Sequence, residues 1–311
     1  MQRILEPGQI EAFAQQAIPR LRLPDRERAF SNRANRLREL TGNDGVGHAI
    51  AGYLRLMATV ADAQHSALTT FEAKLPGSRQ LEHARRHAMP PLLTTAWPRE
   101  KRWREVLLQL CRSVAQLSDL PERVQTVCER LTHLHSERIE READALLSAG
   151  SAPMDVASAP LLMAALQVYW VDLASRLQPE DIGALDVPSV CPVCGTPPVA
   201  SVVRTDPGTQ GYRYLHCALC ATEWHMVRVK CSHCQGTKGI DYRSIDGRSH
   251  AIRAECCESC RTYRKIFYQE NDSRVEPVAD DLASIALDLL VSEVGYHRAS
   301  GNPLLWYSPN A

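Results

Sequence analysis

The chain has 311 residues, with 36 Lys and Arg against 36 Asp and Glu, so its formal net charge is zero. That length suits two or so domains, and the neutral balance removes the global charge that would point to nucleic acid or a membrane surface. The first residues, MQRILEPGQIEAF, hold no apolar core and so argue against a secretory signal. The compartment then expected is the cytoplasm, where thiols stay reduced, and eleven cysteines there point to metal or catalysis and away from disulfides.

Residues 1–186 read as an all-α domain of roughly five helices. DRERAFSNRANRLREL (25–40) offers Asp25 as an N-cap and Gly42 just beyond its end. A long helix-compatible stretch follows at 48–73, ending before LPGS. The segment 98–117 begins with Pro98, which suits a first helical position. LPERVQTVCERLTHLHSERIEREADALLSAG (120–150) places Val124, Val127, Cys128, Leu131, Leu134, Ile139, Ala143 and Leu146 near one stripe, predicting one helix that stops at Gly150. The most apolar run, APLLMAALQVYWVDLA (159–174), is shorter than the ~20 residues of a membrane span. It also carries Asp172, so it reads as a buried helix, and no membrane insertion is expected. PEDIGALDVPS then serves as a linker.

Cysteine usage changes abruptly after this point. Residues 1–186 contain only Cys111 and Cys128, and the other nine lie between 191 and 260. Eight of them form four CxxC pairs: Cys191/Cys194, Cys217/Cys220, Cys231/Cys234 and Cys257/Cys260. Each member of the first two pairs recurs forty positions later, with 22 residues between paired knuckles in both copies. The region is therefore one unit written twice. A CxxC turn aims two sulfurs at one point, and two turns supply the four thiolates of a tetrahedral site ~2.3 Å from zinc. A mononuclear iron site has the same requirements. Gly195, directly after the first knuckle, permits the positive φ that a tight turn needs, whereas the other three knuckles continue with Ala221, Gln235 and Arg261.

Between the knuckles of each copy lie strand-like runs around a turn: VASVV and YRYLH around TDPGTQG, then IDYRSI and AIRAE around SIDGRSH. This is the plan of a zinc ribbon or rubredoxin, a hairpin joining two metal knuckles. TEWHMVRVK (222–230) alternates as a strand would and leads from one unit to the next. The forty-residue period favours tandem sites, each complete within its own copy. A cross-braced site joining 191/194 to 231/234, or a nested one joining 217/220 to 231/234, has the same ligand count. The expected divisions are a helical domain at 1–186, a first rubredoxin-like module at 187–227, a second at 228–270, and a C-terminal helix and tail at 271–311. The fold class is thus α+β. In the tail, VADDLASIALDLLVSEVGYHR (278–298) puts acids in its first turn and His297 and Arg298 in its last. Its apolar face, with Ile285, Leu289, Leu290 and Val294, needs a partner surface, and NPLLWYSP (302–309) either docks or packs on the ribbons.

From 187 to 268, eleven basic residues face six acids, an excess that mainly balances eight thiolates and two ions. This weakens a zinc-ribbon nucleic-acid binder as a reading. No Ser/His/Asp set, phosphate loop or carboxylate pair stands out, so the chain is expected not to be an enzyme. His216, His225 and His233 lie near the knuckles without being needed as ligands. Cys256 reads as a strand-packing residue, Cys111 and Cys128 as buried helix residues, and Trp224 as packing between modules.

CPVCGTPPVASVV, GYRYLHCALCATEWHMVRVKCSHC, AECCESCRTYRKIFYQE and VADDLASIALDLL, in that order, resemble the FdhE family of formate dehydrogenase accessory proteins. The likeness is strong over about 185–305 and looser over the helical half. It implies a cytoplasmic bacterial protein needed to form active respiratory formate dehydrogenase. Such a protein binds iron through rubredoxin-like knuckles and associates with the catalytic subunit of the dehydrogenase before twin-arginine export. The family's ligands carry over onto Cys191, Cys194, Cys217, Cys220, Cys231, Cys234, Cys257 and Cys260. Iron in two mononuclear four-cysteine sites is the expected cofactor and zinc the alternative; a rubredoxin-like electron-transfer role is the rival function. No nucleic-acid partner is expected, and a homo-oligomer is compatible with the residues.

Overall fold

The structure, a computed structural model, describes residues 18–42, 48–148, 155–185, 187–247 and 249–305. The opening residues, Gly150 and the last part of the tail (306–311) lie outside them, as do the expectations placed there. Seven helices precede the cysteine-rich segment among the described residues: α1 (Ala29–Glu39), α2 (Ala51–Thr70), α3 (Ser78–Arg86), α4 (Trp103–Ala115), α5 (Glu122–His133), α6 (Ser136–Leu147) and α7 (Ala159–Ser175).

The apolar run is the centre of this bundle. Fifteen of the seventeen residues of α7 are buried, so it is covered on all sides by protein. Asp172 is fully buried there without being unpaired. Its carboxylate bonds Arg26, accepts from Arg176 Nη2 at 2.6 Å, and accepts from the Ala73 N–H at 2.8 Å. A buried charge persists only with such partners. Trp170 is also fully buried and donates from Nε1 to the Leu92 carbonyl at 3.1 Å. Around α7 pack α2, α4 and α6. Among the described residues no helix is long and apolar enough to cross a membrane.

Two helix expectations change and one helix is added. The stretch 120–150 is two helices, because Leu134 and His135 take extended backbone at ψ 135° and 137°. An unbroken helix of that length would run about 45 Å, against about 30 Å for the 20-residue α2. The break lets Cys128 and Leu131 of α5 and Ile139, Ala143 and Leu146 of α6 all reach the core. The helix expected from Pro98 begins only at Trp103. The short α3 went unread because it has no apolar stripe: Ala84 is its one buried residue.

The cysteine-rich half folds as predicted hairpins, but each copy has a third strand. The first copy gives β2 (Pro198–Val203), β3 (Arg213–Cys217) and β4 (Glu223–His225); the second gives β5 (Ile240–Arg243), β6 (Ile252–Cys257) and β7 (Thr262–Tyr268). The forty-residue period thus extends past the knuckles, since Glu223 corresponds to Tyr263. Only 223–225 of the linking TEWHMVRVK is strand. The two copies do not sit as separate beads. β2 pairs in parallel with β7, Ser201 opposite Ile266, and merges them into one sheet of order β4-β3-β2-β7-β6-β5. At one edge β1 (Leu21–Arg22), which precedes the helices, pairs with β4 through Leu21–Trp224 and Arg22–Glu223.

The C-terminal helix is also two pieces, α8 (Pro277–Ala283) and α9 (Ile285–Glu293). Buried Lys265 of β7 donates from Nζ to the carbonyls of Asp281 at 2.6 Å and Ser284 at 3.3 Å, so it binds the backbone where the two helices meet. His297 and Arg298 are not the last helical turn. Gly295 at φ +80° ends the helix, and the two residues form β8 (His297–Arg298), parallel to β7. The buried face of α9 is Leu287 and Val291, whereas Leu289, Leu290 and Val294 remain exposed. On the tail, Leu304 is buried and its carbonyl accepts from Tyr53 Oη, so this part packs on the helices.

Candidate metal centres

Each knuckle is built by its own backbone. In the first, Cys191 N–H donates to Thr196 O at 2.9 Å, Gly195 N–H to Cys191 O at 2.9 Å, and Val193 N–H points at Cys191 Sγ at 3.4 Å. The Cys231 knuckle repeats this: Cys231 N–H to Gly236 O at 2.8 Å, Gln235 N–H to Cys231 O at 3.0 Å, and His233 N–H toward Cys231 Sγ at 3.4 Å. The turn forces positive φ on the residue after every second cysteine: Gly195 (+78°), Ala221 (+57°), Gln235 (+64°) and Arg261 (+54°). Three of these are not glycine, so each carries a left-handed penalty of about 1–2 kcal/mol that the knuckle bonds offset. Glycine at 195 has an added reason. A Cβ there would lie 2.7 Å from Leu93 Cδ1.

The eight sulfurs fall into two groups, Cys191, Cys194, Cys217, Cys220 and Cys231, Cys234, Cys257, Cys260, each with all Sγ atoms within 4.8 Å of one another. This is the tandem grouping; neither the cross-braced nor the nested one is formed. In the first group Cys191–Cys220 and Cys194–Cys217 are 3.5 and 3.4 Å apart, and in the second Cys231–Cys260 and Cys234–Cys257 are both 3.7 Å apart. A tetrahedron with ~2.3 Å metal–sulfur bonds has edges of about 3.8 Å, and a disulfide would need ~2.05 Å. The spacing therefore fits four thiolates around one ion in each group. It suits zinc and mononuclear iron alike.

The environment of the thiols agrees with that need. Burial, then the neighbouring sulfurs, pushes Cys191 well up from its ordinary value. Burial pushes Cys231 up to about 12. At Cys194 burial raises the thiol, but bonds from the neighbouring sulfurs outweigh it and hold the group well below its ordinary value, so the protons are shared unequally within a group until a cation displaces them. Hydroxyls sit beside the outer sulfurs: Thr222 Oγ1 is 3.1 Å from Cys220 Sγ and Thr262 Oγ1 is 3.0 Å from Cys260 Sγ.

The remaining singled-out residues lie outside both groups. His233 is exposed; His225 packs edge-on against Tyr212 and Tyr214; His216 Nδ1 is 3.0 Å from Glu223 Oε1. Cys256 is fully buried on β6, and Cys111 and Cys128 are buried on α4 and α5. Trp224 is buried where β1 meets β4, and its Nε1 donates to Pro188 O at 2.8 Å. It packs at the β1 edge of the first copy, with β3 and β2 between its strand and the second copy.

A buried cationic cluster behind the second group was not foreseen. Arg213 is fully buried, bonds Glu255 at 2.8 Å, and donates to Lys230 O at 2.9 Å, just before Cys231. Arg264 Nε donates to Ser232 Oγ at 2.8 Å, inside the knuckle. In TYRKIFY, adjacent Arg264 and Lys265 put a charge on each face, the pattern of an exposed strand; yet five of the seven residues are buried because α8 and α9 cover the sheet.

Comparison with known proteins gives these groups a family. Profiles described as FdhE, N-terminal; FdhE, central domain; and FdhE, C-terminal domain match residues 18–185, 190–228 and 229–305. The chain is 38% identical over 302 residues to Protein FdhE of Salmonella paratyphi A, covering 97% of this chain and 96% of that protein. It is also 38% identical over 303 residues to the Protein FdhE homolog of Klebsiella pneumoniae, with the same coverage of 97% and 96%. The crystal structure of the FdhE protein from Pseudomonas aeruginosa superimposes with a TM-score of 0.81 at 37% identity, over 92% of this chain and 99% of that one. The chain thus belongs to the FdhE family, the formate dehydrogenase accessory proteins whose cysteine pattern its sequence resembles.

Proposed function

We propose that the chain is a cytoplasmic, non-catalytic assembly protein. It holds iron in two four-cysteine centres and docks on the catalytic subunit of a respiratory formate dehydrogenase before that subunit is exported. The observation that carries this reading is the pair of tetrahedral four-sulfur groups. Cys191, Cys194, Cys217 and Cys220 hold one ion; Cys231, Cys234, Cys257 and Cys260 hold the other. A bound ferric or ferrous ion supplies charge to fix four thiolates and a one-electron couple. With all four positions taken by protein, no site is left for a substrate. The centres therefore shape the sheet, and the shaped surface is what the client meets.

Two features support docking near the second centre. Leu289, Leu290 and Val294 of α9 are exposed, and Arg261, next to Cys260, donates from Nη2 to Val294 O at 3.1 Å. Exposed apolar side chains gathered beside an ordered centre suit a protein partner. A pull-down from anaerobic cells, with metal analysis of the same sample, tests the proposal. Recovery of the dehydrogenase catalytic subunit with about two iron atoms per chain is expected for two four-thiolate centres. Recovery of a colourless zinc protein contradicts the iron assignment, and absence of the catalytic subunit contradicts the docking.

A further inference from the structure

The two copies of the repeat differ in how they are sealed. All four cysteines of the first group are buried, at 0–1% exposure, whereas in the second Cys234 is exposed and Cys260 half-buried. The helical half makes the difference. Leu92 N–H donates to Val193 O at 2.9 Å and Thr94 N–H to Cys194 O at 3.1 Å, while Gln167 of α7 donates to Ala218 O at 2.8 Å. Both knuckles of the first centre are thereby tied to the bundle, and Leu93 closes over Gly195.

The second centre has lost the corresponding cover position by position. Gly195 becomes Gln235 at the forty-residue offset, and Thr196, whose Oγ1 lies 3.4 Å from Cys194 Sγ, becomes Gly236. A Cβ at Gly236 would make ordinary contact, 3.4 Å from Cys234 Sγ and 4.0 Å from Ser259 Oγ, so the second copy lacks the cover that a threonine gives the first and has room to accept it. What holds the second knuckle comes from behind, through Arg213 and Arg264, and leaves the Cys234 face to solvent.

We propose that the centres are functionally unequal: the first is a sealed structural staple, and the second exchanges its ion with soluble thiol or nitrogen chelators through Cys234. This rests on the reading of both groups as metal centres. In the exchange an incoming ligand replaces the Cys234 thiolate, which takes up the proton that an incoming thiol gives up. The charge and oxidation state of the ion are unchanged. Release from the first centre requires local opening of the bundle–knuckle contacts, and exchange that waits on such opening is slow in proportion to its free energy.

The test uses the full chain loaded with zinc and mixed with excess 4-(2-pyridylazo)resorcinol, release being followed by absorbance. One equivalent is expected to leave at least about tenfold faster than the other, since an opening cost of about 1.4 kcal/mol already gives that ratio. Gly236→Thr should slow the fast phase alone, and Leu93→Ala should speed the slow phase alone. These variants alter the covers and keep every ligand. Release of both equivalents in one phase, or a fast phase indifferent to Gly236→Thr, overturns the inference while leaving two centres standing. A chain that takes up fewer than two zinc ions at the outset overturns the two-centre reading itself.

Discussion

Gly195→Ala is the substitution whose cost the structure sets most sharply. The residue sits at φ +78°, where a side chain costs about 1–2 kcal/mol. The new Cβ would also meet Leu93 Cδ1 at 2.7 Å, well inside a normal carbon contact. Overpacking adds about 1–3 kcal/mol, and the lower part of that range applies because Leu93 is only half-buried and can shift. The total is about 2–4 kcal/mol, a large share of the stability of a typical domain. Denaturant unfolding of the zinc-loaded protein measures it, with Leu93→Ala and the double variant completing a cycle. In the Leu93→Ala background the glycine substitution should cost only the backbone part, so the coupling is about 1–2 kcal/mol. An equal cost in both backgrounds would refute the packing of Leu93 over the knuckle.

Three further outcomes follow from buried charge. Asp172→Ala strands Arg26, Arg176 and the Ala73 N–H, and should destabilise the bundle by about 3–5 kcal/mol in the same unfolding assay. Lys265→Met removes one of the two cations that hold Asp281 and Asp288 and leaves Arg298 as the other; it should cost about 1.5–3 kcal/mol, the worth of hydrogen bonds to a charged group. It should also raise amide exchange in α8 and α9 selectively. Burial alone would raise the Glu223 carboxyl, but the Arg204 guanidinium and the His216 Nδ1–H outweigh it and hold the group well below the usual carboxylate range. Its folded value is thus depressed, so its stabilisation is full above the unfolded value of about 4.3 and is lost as pH falls below that. The stability difference between the parent and Glu223→Gln should therefore shrink between about pH 5 and pH 3; a difference constant over that range would contradict the ion pair.

Local signals carried a good part of the fold. The forty-residue period, the CxxC spacing and the turn residues between strand-like runs are local in sequence, and they gave the grouping of the eight cysteines and four of the strands. The length and apolarity of α7 marked it as buried, and its single charge found partners. What was not legible depends on contacts distant in sequence. The helix break at Leu134–His135 lets both halves reach the core, and at the α8–α9 kink a lysine from a distant strand binds the backbone. The parallel pairing of β2 with β7, which turns two beads into one sheet, has no local signature. Ile285, Leu289, Leu290 and Val294 read as a face that needs a partner surface, but periodicity cannot say whether the chain itself supplies that surface, and the last three are exposed. The unequal sealing of the two centres was half visible: Gly195 against Gln235 and Thr196 against Gly236 stand in the aligned copies, but the covering loop at 92–94 lies far off in the chain.

The central claim is that each copy of the repeat builds a complete four-sulfur cage of its own. Native mass measurement of the Cys191→Ser/Cys194→Ser variant, prepared without oxygen, tests it most directly. One ion should remain on each chain, held by Cys231, Cys234, Cys257 and Cys260, with the helical content of the bundle retained. Loss of both ions together, or a mass showing a disulfide among these positions, would contradict it.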